Sequence, residues 1–400
     1  MHGRGFPGMT GNDTSPSRIR RSVLVLITED WFAVSHFLPL LRALVGLGLD
    51  VTVATRCAGK EHLIAATGAR VEPFDYKRGA LDPLADAGVA AGLRRLMRRL
   101  RPDAGHAIAM KPIVLGALLA AAGTGIPLVM HLTGVGLAGT AAAMRTGLVH
   151  GAVMRLIGRR LNAPHVRLFI ENPDDRSRFA RPGEARYERI TLLGGAGIDL
   201  NAFPALPEPS CPPVRLAYVG RMVWTKGVDV LVAAHGMARA SGADVELSLH
   251  GAPDAANPRA VDAATLAAWA ARPGISWHGF TADVRAVWRD AHIAVVPSRG
   301  GEGLPKALLE AAACGRPLIV TDVPGCRHFV RDGAEGLIVP PEDASALASA
   351  NLRLASDPEL RRRMGTAARA RVLEGFTEHH VETDVQAAYR DLLALGAASS

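Results

Sequence analysis

Short apolar runs recur along this chain at helix-length intervals, stop at a proline-rich stretch, and then start again. Residues 23–28, 51–54 and 128–132 read as buried strands, with a helix-like apolar stretch over 37–47. Residues 191–213 break the pattern. There Gly194-Gly195-Ala196-Gly197-Ile198-Asp199 leads into Leu206-Pro207-Glu208-Pro209 and Cys211-Pro212-Pro213, whose prolines interrupt regular backbone structure. From Val214 the alternation resumes, with strands expected at 214–219, 245–249, 275–277, 292–296 and 317–320. Short apolar strands separated by helices make parallel α/β sheets. At 400 residues the chain exceeds the usual single domain, so two such units are expected. They span 22–195 and 214–376, joined by a linker over 196–213. Residues 1–21 read as a polar tail, and 377–400 as a terminal helix with a short small-residue end.

The run from Gly300 to Ala311 is the strongest sign of a site. After the apolar strand, Gly300-Gly301-Glu302-Gly303-Leu304-Pro305 opens a helix that carries Glu310. Glycines allow close backbone turns, and Pro305 suits the first position of a helix. Glu302 then lies above the helix N-terminus and Glu310 about one and a half turns inside. Free amides at such an end suit a phosphate, and the carboxylates accept hydroxyl donors from a sugar or ribose. An acidic capping loop with one solvated helix glutamate is the plain alternative.

Tyr218-Val219-Gly220-Arg221-Met222-Val223-Trp224-Thr225-Lys226-Gly227-Val228 supplies the opposite charge between a strand and the helix expected over 228–240. Arginine offers a planar donor fork and lysine a mobile point charge, a pair suited to a departing diphosphate. Gly227 after the lysine, without a hydroxyl residue, excludes a P-loop. Two solvated loop cations would look the same in isolation.

Together these segments resemble the retaining, nucleotide-sugar-dependent glycosyltransferases of family 4, which have the GT-B fold of two Rossmann-like domains facing across a cleft. The resemblance covers roughly residues 22–375. Pro297-Ser298, Glu302 to Pro305, Glu310 to Pro317 and Thr321 to Cys326 are most similar to the branch that builds bacterial capsules, exopolysaccharides and O-antigens. It implies that Arg221 and Lys226 neutralise the donor diphosphate, that Glu310 binds the nucleotide ribose, and that Glu302, with Gly303 and Leu304, lies beside the transferred sugar. It implies also that the terminal helix packs back across the first domain. Donor chemistry of this kind needs no covalent nucleophile and no metal. Asp229, Asp244, Asp283 and Asp290 are too dispersed for a metal site, and no cofactor is expected beyond the nucleotide-sugar substrate.

For the acceptor side, Ser35 and His36 follow the first strand in Glu29 to His36, and His106 and Lys111 flank another strand end. A helix cap and a packed imidazole are the alternatives for Ser35 and His36. His131-Leu132-Thr133-Gly134-Val135-Gly136 resembles the Thr-Gly-Leu-Gly segment of the branch, with Val135 in place of leucine. Either His131 or Thr133 takes the sugar-contacting position, with Gly134 beside the acceptor. His131 is also readable as a structural residue at the sheet edge.

Charge is uneven: residues 1–200 hold 26 Lys+Arg against 16 Asp+Glu, and residues 201–400 hold 20 against 22. Arginines alternate with apolar residues over 93–101 and 154–160. Such faces suit an anionic membrane surface and access to a polyprenyl-diphosphate-linked saccharide. They equally suit solvated helices whose arginine stems cover apolar surface. Nucleic-acid binding is not expected, because no recognition helix, aromatic platform or zinc module is present. Cys57, Cys211, Cys314 and Cys326 lack zinc-ligand spacing and the density of a disulfide framework. With no signal stretch, a cytoplasmic protein peripherally attached to the inner membrane is expected. The least polar segment, 113–143, is broken by glycines and Pro127 and reads as helix, strand and loop.

Overall fold

A computed structural model of the chain describes residues 21–76, 83–119, 125–134, 144–254 and 257–397. Val135 and Gly136, and the tail before Arg21, lie outside the described residues. The first sheet holds β1 (Ser22–Glu29), β2 (Asp50–Arg56), β3 (Arg70–Pro73), β4 (Ala104–Ile108), β5 (Leu128–Leu132), β6 (Val166–Ile170) and β7 (Ile190–Leu192). The second holds β8 (Val214–Val219), β9 (Val245–His250), β10 (Ile275–Trp277), β11 (Ile293–Val296), β12 (Leu318–Thr321) and β13 (Gly336–Val339). Their orders are β3-β2-β1-β4-β5-β6-β7 and β10-β9-β8-β11-β12-β13, with parallel pairing throughout.

Every residue of β4, β5, β6, β11 and β12 is buried, as strands covered on both faces by helices require. In both sheets the strand order reverses beside the first strand. That leaves a crevice beyond the strands' C-terminal ends, where ligand-binding loops collect in such folds. The two crevices face each other, which is the expected GT-B arrangement.

Two local features differ from the sequence reading. Asp30–His36 is a helix, followed at once by the helix Leu38–Gly46. Ser35 therefore lies near the end of a helix rather than capping its start, and its hydroxyl donates to the Phe32 carbonyl at 3.2 Å. The segment expected to begin crossing at 191 first completes β7 on the edge of the first sheet. The chain also crosses between units twice side by side, as Ile198 N donates to Phe376 O at 3.0 Å and Glu378 N to Ile198 O at 3.1 Å.

The terminal helix Glu378–Ala397 lies on the first unit. Val381, Val385, Tyr389 and Leu392 enter the same core as Phe37, Leu40, Leu41 and Leu44. Arg42 fastens the surface of this contact by reaching Glu378 at 2.5 Å and Glu382 at 3.0 Å.

Candidate functional site

The loop after β8 is bent so that a lysine reaches the next strand end. Gly227 has φ 69°, and a Cβ there would lie 2.0 Å from the Pro297 carbonyl oxygen, so only glycine lets the short turn Trp224–Lys226 pack directly on the end of β11. Arg299 fixes that turn by donating its backbone N–H to the Thr225 carbonyl at 2.9 Å and its guanidinium to the Trp224 carbonyl, and is itself held by Asp229 at 2.8 and 2.7 Å and by Glu342 at 2.8 Å. Lys226 Nζ is thereby held against Glu302 Oε2, while the Ser298 hydroxyl donates to Glu302 Oε1. Burial works against the charged form of Glu302. The Lys226 ammonium, the Ser298 hydroxyl and the Arg221 guanidinium outweigh it and hold the carboxyl below the usual glutamate range.

Arg221 stands at the solvent side of this cluster, about half exposed, and pairs with Asp254 at 2.9 Å. Glu310 is buried inside the helix Lys306–Ala313, so burial raises its carboxyl above the usual range, opposed by Lys306 3.9 Å away. Lys306 also spans the cleft, donating to the Ser35 carbonyl at 2.6 Å.

The opposite wall is built from strand ends of the first unit and the helix after β1. His36 Nδ1 lies 2.6 Å from the Ser35 hydroxyl. Burial, followed by the charges of Lys306, Lys226 and Arg221, pushes the His36 pKa down to about 3. The half-buried imidazole favours its neutral form, because desolvation and the nearby cations both oppose a charge on the ring.

His131, on β5, is 1% exposed, and neither ring nitrogen makes a hydrogen bond. It stands edge-on to Phe37 at 5.3 Å between ring centroids, 5.6 Å from the His106 ring, with Nε2 3.7 Å from Glu171 Oε1. His106 is anchored from below by the Tyr389 hydroxyl at 2.8 Å. Burial, then the neighbouring His131, keeps the His106 pKa well below the ordinary histidine value.

Thr133 and Gly134 meet the second unit through backbone. The Thr133 carbonyl accepts from Gly303 N at 3.1 Å, and a Cβ on Gly134 would lie 2.6 Å from Gly301 O. Glu171 Oε2 accepts from Leu304 N at 2.9 Å. Lys111 is half-buried in the first turn of the helix Met110–Leu119, directly after β4.

The fold therefore gathers Arg221, Lys226, Ser298, Glu302 and His36, and ties Glu310 to them through Lys306. It sets Thr133 and Gly134 against the Glu302–Leu304 loop rather than in open acceptor space. Sequence reasoning missed Glu171, Lys306 and Asp254. Glu171 stands directly after the apolar run 166–170, so the strand-end rule that picked out His131 would have found it. Asp229 is used by Arg299, and Asp283 caps the helix Val284–Asp290. Among the described residues no group of three His, Cys, Asp or Glu side chains is arranged to hold a metal.

Both units have counterparts among known proteins. Residues 213–357 match the family described as Glycosyl transferases group 1, and residues 22–159 match Glycosyl transferase 4-like. Alpha-maltose-1-phosphate synthase of Mycolicibacterium smegmatis is 34% identical over 215 residues, 51% of this chain and 52% of that one, so the match spans about half the length of that relative. A Campylobacter jejuni enzyme, N,N'-diacetylbacillosaminyl-diphospho-undecaprenol alpha-1,3-N-acetylgalactosaminyltransferase, is 24% identical over 344 residues, 82% of this chain and 88% of that one. Among solved structures, Anabaena Alr3699/HepE in complex with UDP-glucose superposes with a TM-score of 0.73 at 18% identity, covering 92% of this chain and 99% of that one. The fold and the matched families define a glycosyltransferase of the GT-B class. The chain is related to the group 1 and family 4 glycosyltransferases, among them members that act in bacterial surface-polysaccharide biosynthesis.

Proposed function

We propose that this glycosyltransferase moves a hexosyl group from a UDP-sugar to a polyprenyl-diphosphate-linked saccharide, with retention at the anomeric carbon, in bacterial surface-polysaccharide assembly. The observation that carries the reading is the cluster of Lys226, Ser298 and Glu302 facing His36, with Arg221 at its mouth. The diphosphate sits on Arg221 and Lys226, with Lys306 and His36 facing it from the cleft. Glu302 accepts a hydroxyl of the transferred sugar and Glu310 one of the ribose. His131 or Thr133 contacts the sugar from the first unit, and Ser35, His36, Lys111 and Gly134 border the acceptor.

In the transfer step the bond from C1 to the phosphate oxygen breaks and the bond from C1 to the acceptor oxygen forms on the same face. The acceptor proton passes to the departing phosphate oxygen. Charge grows on that oxygen as the bond opens, so cations already in place stabilise the transition state more than the ground state. No covalent nucleophile takes part.

The UDP assignment draws on the UDP-glucose complex of the Anabaena protein, and the lipid-linked acceptor on the name of the Campylobacter enzyme. A soluble acceptor is the second reading, favoured by the Mycolicibacterium relative. A panel of nucleotide-sugars offered with polyprenyl-linked and soluble saccharides tests both. Transfer from none of them, with donor still bound, turns the reading into a nucleotide-sugar-binding regulator. Transfer to soluble acceptors alone removes the lipid-linked assignment, and an inverted product anomer removes retention.

We propose further that the chain works in the cytoplasm and docks reversibly on the inner membrane. Arg94 and Arg95 are on the flank of the helix Pro83–Leu100, while Leu93 and Leu96 face the core. Among the described residues no helix is long and apolar enough to cross a membrane. That helix and Met144–Arg160 lead into β4 and β6, so their last-turn arginines lie at the sheet edge opposite the cleft. Docking that leaves the cleft within reach of a lipid-linked sugar therefore uses the flank rather than those helix ends.

A further inference from the structure

The loop Glu302–Leu304 is held from two sides. Beneath it lies the start of the helix Pro324–Phe329, where a Cβ on Gly325 would come 1.7 Å from Gly303 O. Above it lies the first unit, and there Glu171 fills the space a side chain at 303 would need, with Oε2 2.0 Å from where a Cβ would stand. Polar contacts between described residues cross the cleft. Gly303 N donates to Thr133 O, Leu304 N to Glu171, and Lys306 Nζ to Ser35 O, and Arg327 pairs with Asp174 at 2.9 Å. The last is exposed on both sides, with side chains 38% accessible. Glu171 is 7% accessible, and it alone of these contacts puts a buried carboxylate on a backbone amide. A charge-assisted bond of that kind, away from water, is about twice as strong as a neutral one. An exposed ion pair contributes little.

We propose that Glu171 is a positioning residue that clasps the sugar-side loop across the cleft, holding the Leu304 amide so that Glu302 stays aimed at Lys226 and Ser298 while the two units are closed. Its second oxygen, 3.7 Å from His131 Nε2, sets the same carboxylate beside the buried histidine of the facing strand. One side chain thus joins the loop of the donor-binding unit to the strand end of the other. Because Lys226 and Glu310 both belong to the second unit, nucleotide binding does not depend on the clasp. Transfer does, since it needs both walls together.

The test uses the full chain with Glu171→Ala, Glu171→Gln and, as a control on an exposed cross-cleft contact, Arg327→Ala. Glutamine keeps an oxygen acceptor for the Leu304 amide and removes the charge. Hydrogen exchange of the peptide containing Leu304 reads the clasp directly and does not rest on the proposed function. kcat and KM, with whichever donor the nucleotide-sugar panel identifies, do rest on it. Glu171→Ala is expected to lose protection at Leu304 by about tenfold or more and kcat by about 10- to 100-fold, with donor KM within about threefold. Its thermal midpoint should stay within a few degrees of the parent. Glu171→Gln restores the protection and most of kcat, and Arg327→Ala changes neither. Unchanged protection in Glu171→Ala overturns the clasp whether or not any donor is turned over. Restored protection in Glu171→Gln without restored kcat would give the carboxylate charge a direct part in the chemistry, which overturns a purely positioning role. A rise in donor affinity in Glu171→Ala would make Glu171 a competitor for the loop amide, which also overturns the proposal.

Discussion

Lys226, Ser298 and Glu302 sit on two neighbouring loops of one sheet, already paired with one another, whereas His36 comes from the helix after β1 and His131 and Glu171 from the ends of β5 and β6 in the other unit. On the first wall the polar groups satisfy each other. On the second, both nitrogens of His131 and Nε2 of His106 are buried without hydrogen bonds, and the histidines pack against Phe37, Phe169 and Tyr389. Charge is thus preorganised on the wall proposed to receive the leaving group, and aromatic and imidazole rings pack behind the wall proposed to meet the sugar. Preorganised charge matters most where the reaction develops charge.

The sharpest way to break this contrast is to remove the charge. Lys226→Ala is expected to lower kcat/KM by about 3 kcal/mol, roughly a hundredfold, the usual loss for one preorganised donor. Arg221→Ala should cost clearly less, because its guanidinium is half exposed and already shared with Asp254. Rates of nucleoside-diphosphate release compare the two, and equal losses would deny the inner and outer cations different roles. On the facing wall, Tyr389→Phe leaves His106 Nδ1 buried without its partner, so denaturant unfolding should show about 1–3 kcal/mol lost. Nucleotide affinity should not move. If affinity falls with stability, the two walls are not separable in this way.

Glu310→Gln should weaken nucleotide binding by about 1.5–3 kcal/mol, the scale of a hydrogen bond to a charged group. Calorimetry with UDP and with uridine locates that contact, and unchanged dissociation constants remove the ribose assignment.

His36 connects the walls electrostatically. Its folded pKa of about 3 lies below the ordinary 6.5, so between these values the unfolded chain binds more protons than the folded one. Stability should therefore rise with pH across that window, by up to about 1.4 kcal/mol per unit, and the contribution is lost as pH falls toward 3. A bound diphosphate offsets Lys306, Lys226 and Arg221, the charges that help keep the ring neutral. UDP-glucose, whose diphosphate has no ionisation between about pH 5 and 8, should then bind with proton uptake and somewhat more tightly at about pH 5. Titrations in buffers of different ionisation heat measure the uptake, and no difference between buffers places His36 away from the phosphates.

The smallest effect per residue belongs to the flank. Each exposed arginine near an anionic surface is worth about 1 kcal/mol at most, screened by salt. Neutralising Arg94 and Arg95 should reduce sedimentation with anionic liposomes while sparing turnover on a short soluble acceptor. Equal failure of the parent chain to bind anionic and neutral liposomes would end the docking proposal and leave sugar transfer standing.

Much of the architecture is legible in the sequence. Parallel strands covered on both faces are mostly apolar, so β5, β11 and β12 stand out as runs, and the prolines near 207–213 divide the two series. The donor wall is legible for a related reason. Its charges lie within a few residues of strand ends, and Gly227 and Gly303 mark where the backbone must approach another chain segment closely. The seven-residue helix Asp30–His36 is not legible, being too short to show a helical period beside an apolar strand.

What the amino-acid sequence determined by itself was local: which segments are strands, where one unit ends, and which charges stand at the turns. Tertiary structure alone decided which distant groups meet. Glu171 and the Leu304 amide are 133 positions apart, and Lys306 and the Ser35 carbonyl 271. His106 is anchored by a tyrosine 283 residues further on. No spacing rule reaches across such separations, because strand and helix periodicities are properties of one element. The partner of a buried polar group is set by how two elements pack, and here by how two sheets close on each other.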